Sequence, residues 1–225
     1  MKKNLTFILT AILAMAGVAR GDLITVTSTN APETIADNNS LGLQQTLNLT
    51  GYSGWIESLT VDVTISGING GAFNGDFYLT LQHESGYAVL LNRVGVTGLN
   101  PFGYADNGFD VTFAEGGSDI HTYQSGSYSL GPSGELTGTW GVDGRAVDPA
   151  LVTASSPQTT SLGSFTNASP NGTWTLFVAD MNQGGQGRLD SWSINVNVVP
   201  EPASVSLVLL GLLGARGMMH RRRKN

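Results

Sequence analysis

Aspartate side chains are the groups in this sequence best able to bind a ligand. Asp106 and Asp110 lie close together in a predicted loop, whereas Asp37, Asp76 and Asp180 stand at the ends of predicted strands. Calcium takes about six to eight oxygen ligands from loop carboxylates and carbonyls and needs neither cysteine nor histidine. The five carboxylates are therefore candidate calcium ligands. The alternative is that these aspartates occupy turns and strand caps through their ordinary propensity.

Catalytic motifs are missing from the sequence. His83 and His121 are the histidines outside the C-terminal segment, and no Gly-x-Ser-x-Gly motif accompanies them. His83-Glu84 has no second histidine four positions on, and no glycine-rich motif ends in Lys-Ser or Lys-Thr. Cysteine is absent, which excludes disulfides and thiol chemistry. The sequence predicts no catalytic residue, and calcium is the only cofactor it indicates.

The charge is distributed unevenly along the chain. Residues 22–202 contain 17 acidic side chains against three arginines and no lysine, so their formal charge is −14, although the whole chain has −6. A strongly acidic surface repels nucleic acid and anionic lipid. Nucleic acid is thus not expected as a partner.

Apolar and polar residues alternate along several short segments. Leu59, Val61, Val63 and Ile65 alternate with polar residues, and the pattern recurs at 77–81 and 192–198. A period of two with one apolar face is typical of half-buried antiparallel strands. No segment of residues 22–198, which we call the body, has helical apolar spacing. With frequent glycines for turns, the sequence predicts an all-β, antiparallel, jelly-roll-like β-sandwich over residues 22–198.

The stretch from 114 to 170 shows no such clear alternation of apolar and polar residues. A structureless loop of that length would be unusual in a compact domain. We therefore expect short strands near 128–130, 136–140 and 161–165.

The C-terminal segment, 199–225, has three parts. Pro200-Glu201-Pro202 ends the last strand because proline cannot continue it. An apolar run from 203 to 215 follows, a short transmembrane helix by length. The basic cluster then places the body outside the membrane by the positive-inside rule; it consists of Arg221, Arg222, Arg223 and Lys224.

These three parts, in this order, resemble the PEP-CTERM sorting signal of bacterial envelope proteins. The resemblance implies recognition by an exosortase-type membrane enzyme, with Pro200, Glu201 and Pro202 as the processing motif. An ordinary C-terminal anchor is the alternative. The N-terminal 21 residues have the charged, apolar and small-residue regions of a secretory signal peptide. The export machinery is therefore an expected partner, and the membrane is contacted at least transiently.

Several segments of the body resemble the P domain, also called P/Homo B, which accompanies subtilisin-like proprotein convertases. They are residues 34–38, 75–81 with 85–86 and 90–93, and 171–180 running on to 187–194. Trp174 and Trp192 are predicted to fill the core, Asn171-Gly172 to form a turn, and Gly187 to provide a positive φ. The resemblance implies a β-sandwich, and it places Asp37, Asp76 and Asp180 at acidic positions of the family motifs, some members of which contain calcium.

The chain departs from the family around Ser85-Gly86, where proline and threonine are usual, and throughout the middle segment. A P domain has no catalytic triad, so the protease association does not imply activity. We expect an exported, non-catalytic protein of the cell envelope, cell surface or extracellular matrix.

Two other functions remain open. One is an accessory P domain of a separate subtilisin-like protease. The other is a carbohydrate-binding module or hydrolase acting on exopolysaccharide, for which Trp55, Tyr104, Tyr123 and Trp140 would provide stacking surfaces if they cluster on an exposed face.

Overall fold

A computed structural model describes residues 21–200, which form one compact unit from Gly21 to Pro200. Residues 1–20 and 201–225 lie outside the described part of the chain. They include all but Gly21 of the proposed signal peptide, and Glu201, Pro202, the apolar run and the basic cluster of the C-terminal segment. Between 21 and 200, no helix has the length and hydropathy needed to span a membrane.

Strands dominate the described part of the chain. It contains three short 3-10 helices, Asn74–Asp76, Ile120–Ser125 and Leu162–Phe165. Its eleven strands are β1 Asp22–Thr27, β2 Glu33–Thr34, β3 Asn39–Leu49, β4 Trp55–Ile68, β5 Phe77–His83, β6 Gly86–Asn92, β7 Gly108–Ala114, β8 Ser129–Leu130, β9 Leu136–Trp140, β10 Gly172–Asp180 and β11 Gln186–Val199. The predicted all-β class is confirmed.

The strands form two sheets that pack as a sandwich. One has the order β1-β11-β4-β7-β9-β8, with β2 also paired to β11, and the other has the order β3-β10-β5-β6. Two four-stranded series, β1-β11-β4-β7 and β3-β10-β5-β6, have the strand order of a jelly roll.

The predicted antiparallel pairing was wrong for one pair of strands. β9 lies parallel to β7, with Phe109 opposite Leu136 and Phe113 opposite Trp140. Parallel neighbours need a crossover of about a dozen residues or more. The chain between these strands is long enough for one, and it includes the helix Ile120–Ser125 and β8.

The alternating pattern explains the core. In β4, Leu59, Val61, Val63 and Ile65 are all buried, while the residues between them face outward or are half-buried. Each fully buried aliphatic side chain contributes about 1.5–3 kcal/mol relative to its exposed state. Trp174 and Trp192 are also buried, which confirms their predicted place in the core.

The middle segment follows the prediction only in part. β8 and β9 lie where strands were expected, but 161–165 forms the 3-10 helix Leu162–Phe165. Ser161 caps this helix by accepting a hydrogen bond from the Gly163 N–H at 3.2 Å. Leu162 and Phe165 are one 3-10 turn apart, and both are buried. Three-residue spacing therefore buries both side chains, which strand alternation would have placed on opposite faces.

Two glycines of the 171–194 region have different roles. The predicted turn at Asn171-Gly172 was wrong, because Gly172 begins β10 and pairs with Leu49, although its φ of +128° is one that glycine adopts readily. Gly187 lies inside β11, where a positive φ was wrongly predicted. A Cβ at Gly187 would lie 2.6 Å from the Phe77 ring. Glycine is required there because the ring of Phe77 packs directly against the backbone.

Candidate functional site

Three of the five predicted aspartates meet at one end of the four-stranded sheet. β10 lies between β3 and β5, and its last residue, Asp180, pairs with Phe77 on one side and Asn39 on the other. Asp76 directly precedes β5, and Asp37 precedes β3 by two residues. Strand register alone therefore brings Asp37, Asp76 and Asp180 to the same sheet end; we call them the aspartate cluster.

Burial differs sharply within the aspartate cluster. The side chain of Asp180 is fully buried and that of Asp76 is 2% exposed, whereas Asp37 is exposed. The Oδ1 atom of Asp180 accepts a hydrogen bond from the Asn182 N–H at 3.2 Å, and Oδ1 of Asp37 accepts one from the Gly184 N–H at 3.3 Å. The site thus has a buried floor and one carboxylate at the surface.

Two carboxylate oxygens in the cluster are buried without a hydrogen-bond partner. They are Oδ1 of Asp76 and Oδ2 of Asp180. A buried polar atom without a partner is costly, and such atoms often mark the place of an ion or water. These two oxygen atoms therefore lack a hydrogen-donating or positively charged partner.

The pKa values of the two buried aspartates are raised, so their surroundings disfavour the ionised form. The pKa of Asp76 is raised to about 7, first by burial and then by the Asp180 carboxylate, while Asn182 and Arg93 lower it. The pKa of Asp180 is raised to about 6, chiefly by burial, against the lowering effect of hydrogen bonds from the Asn182 and Asn38 backbone. Bringing a cation close would favour the ionised form of both groups.

The donor atoms of the aspartate cluster are of the kind that calcium binds. It contributes only hard oxygen donors, as calcium prefers, from two buried carboxylates, the exposed Asp37 and nearby asparagines. Between residues 21 and 200, no three Asp, Glu or His side chains are positioned to hold a metal ion by themselves. Calcium takes part of its ligand shell from carbonyl oxygens and water. Two carboxylates with such donors fit its chemistry.

The other two predicted aspartates bind protein groups. Asp106 accepts hydrogen bonds from the Tyr123 hydroxyl at 2.5 Å and from Nε2 of Gln124 at 2.6 Å. Asp110 was wrongly predicted to lie in a loop; it lies on the exposed face of β7 and accepts one from the Thr64 hydroxyl at 3.3 Å. Neither is brought into the aspartate cluster.

The two histidines of the body are committed to structural partners. Nδ1 of His121 lies 2.8 Å from Oδ2 of Asp143, and its Nε2 lies 3.2 Å from the Val96 carbonyl oxygen. Nδ1 of His83 lies 2.8 Å from Oγ of Ser85, and its Nε2 lies 3.0 Å from the Asn171 carbonyl oxygen. Both side chains are buried. No nitrogen of either ring is left to act as a base on a bound substrate.

A buried ionic network that the sequence did not reveal surrounds His121. Asp143 is fully buried and accepts hydrogen bonds from Arg145 and from the Asn92 N–H. Arg145 also donates to both carboxylate oxygens of Asp119, at 2.7 and 3.1 Å. Removing one partner of such a network would destabilise the fold, because the other charge would be left buried and unpaired.

Of the four predicted stacking aromatics, one is exposed at the start of a strand and the other three lie in a cluster. Trp55 is 43% exposed at the start of β4. Tyr104, Tyr123 and Trp140 form a cluster, with ring centroids of Tyr104 and Tyr123 4.5 Å apart and those of Tyr123 and Trp140 6.0 Å apart. Tyr123 and Trp140 are largely buried. Most of this cluster is therefore part of the packing.

A protein-family model matches part of the chain. Residues 151–196 match the family model of the proprotein convertase P-domain. The matched range includes 171–180 and 187–194, two of the segments that carry the resemblance in the sequence, whereas 34–38 and 75–93 lie outside it. No curated protein matches the chain.

Two solved structures are similar to the chain. One is the serine protease of Aeromonas sobria in complex with its chaperone, with a TM-score of 0.40 and 15% identity over 80% of this chain and 27% of that one. The other is the Aeromonas sobria serine protease, with a TM-score of 0.39 and 15% identity over 79% of this chain and 26% of that one. The chain spans about a quarter of the length of these structures.

Proposed function

We propose that the chain is an exported, non-catalytic protein of the cell surface or extracellular matrix, whose body acts by binding or stabilisation. The observation that carries this proposal is the state of His83 and His121. Both rings are buried and both use their two nitrogens within the fold. A general base must reach the proton that it abstracts, which neither histidine can do in this arrangement.

The body is proposed to be a P-like domain throughout. The family match to 151–196 and the two-sheet sandwich support this extension. The resemblance of 34–38 and 75–81 to the family motifs supports it for the earlier strands. In this proposal the domain provides a stable, acidic module on an exported chain and has no activity of its own.

The two ends of the chain are proposed to direct it to the envelope. Residues 1–21 would be a signal peptide read by the export machinery, and 199–225 a sorting signal read by an exosortase-type enzyme. Pro200 follows directly on β11, which ends at Val199. Because this motif lies beyond the last strand, cleavage there would leave the folded body intact.

Calcium is proposed as the cofactor of the aspartate cluster. Asp76 and Asp180 would hold the ion, and Asp37 would close the site from the surface. The ion would supply the positive charge that the two unpartnered carboxylate oxygens lack. Its role would be structural, because it would fix the ends of β3, β5 and β10 together.

A second candidate function is that of an accessory domain to a separate subtilisin-like protease. The family match favours it, since that model describes the P-domain of proprotein convertases. Neighbouring reading frames separate the two candidates. Exosortase and polysaccharide genes would favour the surface protein, and an adjacent protease without its own P domain would favour the accessory role.

The location of the protein tests the leading proposal. An antibody against residues 21–200 should label intact cells or the surrounding matrix, because the signal peptide exports the body and the basic C-terminal end stays in the cytoplasm. Deleting residues 2–16 removes the charged and apolar regions and should confine the protein to the cytoplasm. Labelling of the wild type only after lysis would contradict the proposal.

A further inference from the structure

One edge of the four-stranded sheet has no neighbouring strand. β3 is the outermost strand there, and within residues 21–200 its backbone pairs with β10 alone. The ladder between the two strands is regular over 43–49, and we call this segment the open edge. In an antiparallel ladder, alternate residues direct their N–H and C=O groups away from the partner strand. Those groups of the open edge are free to pair with a further strand.

The other outermost strands of the sandwich are covered or short. The outer edge of β6 is covered by Asp143 and Gly144, whose N–H groups donate to the carbonyl oxygens of Leu90 and Val89 at 3.0 and 2.9 Å. In the other sheet, β1 has six residues and begins with the charged Asp22, and β8 has two residues. Short strands, charged residues and covering segments all protect an edge from further pairing. The open edge has none of these protections.

Charge favours a particular partner for the open edge. Residues 22–202 contain 17 acidic side chains against three arginines, yet β3 contains no charged residue and no proline. The exposed side chains of the open edge are those of Gln44, Thr46 and Asn48. Two bodies with a formal charge of −14 each repel one another. An uncharged strand lets two of them meet without opposing carboxylates.

The open edge is also able to pair with itself. Its central residue is Thr46, and a twofold axis at that residue places Thr46 of one copy opposite Thr46 of the other. The same axis places Gln44 of each copy opposite Asn48 of the other, on the exposed face. Hydroxyl and amide side chains that lie directly opposite one another form hydrogen bonds across the strands. A twofold contact of this kind is complete with two copies.

We propose that the open edge pairs antiparallel with the open edge of a second copy of this chain, about a twofold axis at Thr46. The two four-stranded sheets then form one sheet of eight strands. The partner is a second copy because the charge and the side chains of the open edge match those of the same strand. This inference goes beyond the proposed function, and it requires neither calcium at the aspartate cluster nor sorting of the C-terminal segment.

Oxidation of the full-length T46C variant by copper phenanthroline, in detergent, tests the proposal. The chain contains no cysteine, so the introduced thiol reports only its own neighbours. Directly opposite residues of an antiparallel pair have Cα atoms about 4.5–5.5 Å apart, which a disulfide spans. T46C should give about tenfold more disulfide-linked dimer than T139C. Thr139 is the matched control, because it is an exposed threonine on β9 in the other sheet.

Two further variants test the register of the pairing. The two copies of Gln44 would be displaced by four residues along the strands, or about 13 Å. Q44C alone should therefore form little dimer. Q44C/N48C should form dimer readily, because Gln44 of each copy lies opposite Asn48 of the other.

Sedimentation of the full-length chain in detergent measures the association without a disulfide. T46E would place two carboxylates opposite each other and should weaken dimerisation by about tenfold, whereas T46V should associate as the wild type does. The proposal is overturned if T46C gives no more dimer than T139C, if Q44C alone gives as much as T46C, or if T46E associates like the wild type. An open edge that binds another protein, or none, would give the first of these results. Surface labelling of intact cells is independent of all of them.

Discussion

Replacing Trp192 with alanine should lower the free energy of unfolding by about 3–5 kcal/mol, the usual range for removing a large buried aromatic side chain. Trp192 is 1% exposed and lies on β11, which pairs with both β1 and β4. Its Nε1 also donates to the side-chain oxygen of Gln45 on β3, at 3.0 Å, and so links the two sheets. Urea denaturation of the variant and the wild type measures the difference.

Trp55 provides the matched control, because it is the same residue type but 43% exposed. W55A should change stability by less than about 0.5 kcal/mol. W192F should lie between the two at about 1–2 kcal/mol, since it keeps most of the packing and loses the bond to Gln45. Equal effects of W192A and W55A would show that Trp192 is not a core residue.

Calcium should stabilise the protein against heat at pH 8 by about 5–10 °C when added at a hundred times its Kd. Binding to the folded state alone contributes about 2.7 kcal/mol at that ratio, and each kcal/mol shifts the Tm of a domain of this size by about 2–4 °C. The measurement is a thermal melt with calcium or with a chelator. The physical reason is the pair of unpartnered carboxylate oxygens on Asp76 and Asp180.

The same carboxylates fix the sign of the pH dependence. The pKa values of Asp76 and Asp180 are raised from 3.8 to about 7 and about 6 in the folded state. Between about pH 4 and about pH 7, these two carboxyl groups hold more protons in the folded state than in the unfolded state. The free energy of unfolding without calcium should therefore fall as the pH rises through this range. Bound calcium should remove most of this decline, and its effect should be small at pH 4.5.

Two aspartate variants distinguish the site from a general salt effect. D76N should abolish the calcium response, whereas D110N, on the exposed face of β7, should retain it. A wild type that does not respond to calcium, or a D76N variant that responds as the wild type does, would contradict calcium binding at the aspartate cluster.

The strands could be predicted from the sequence because each one shows its buried face in its own alternation of apolar and polar residues. Alternation in β4 and β11 reports directly which face meets the core, and neighbouring residues suffice to read it. The helix Leu162–Phe165 was missed because its two apolar residues bury at a spacing of three, and a short apolar segment does not distinguish this from a strand. The parallel pairing of β9 with β7 depends on a long crossover, which local patterns do not encode.

The candidate site was partly predictable for a similar reason. Asp37, Asp76 and Asp180 each mark a strand end, so their types and positions could be read, but their meeting depends on β10 lying between β3 and β5. The network of Asp119, His121, Asp143 and Arg145 depends on loop packing across several segments. Neither charge pattern nor spacing in the sequence predicts it.

The central claim, an exported protein sorted through its C-terminal segment, is tested most directly by the mass of its C-terminal peptide recovered from cells. We predict a mature chain that ends near Pro200-Glu201-Pro202 and lacks the basic cluster. Glu201→Ala should block this processing while export continues, because the apolar run is unchanged. Recovery of the intact sequence through Asn225 from the wild type, with no effect of the substitution, would contradict the claim and identify the segment as a simple anchor.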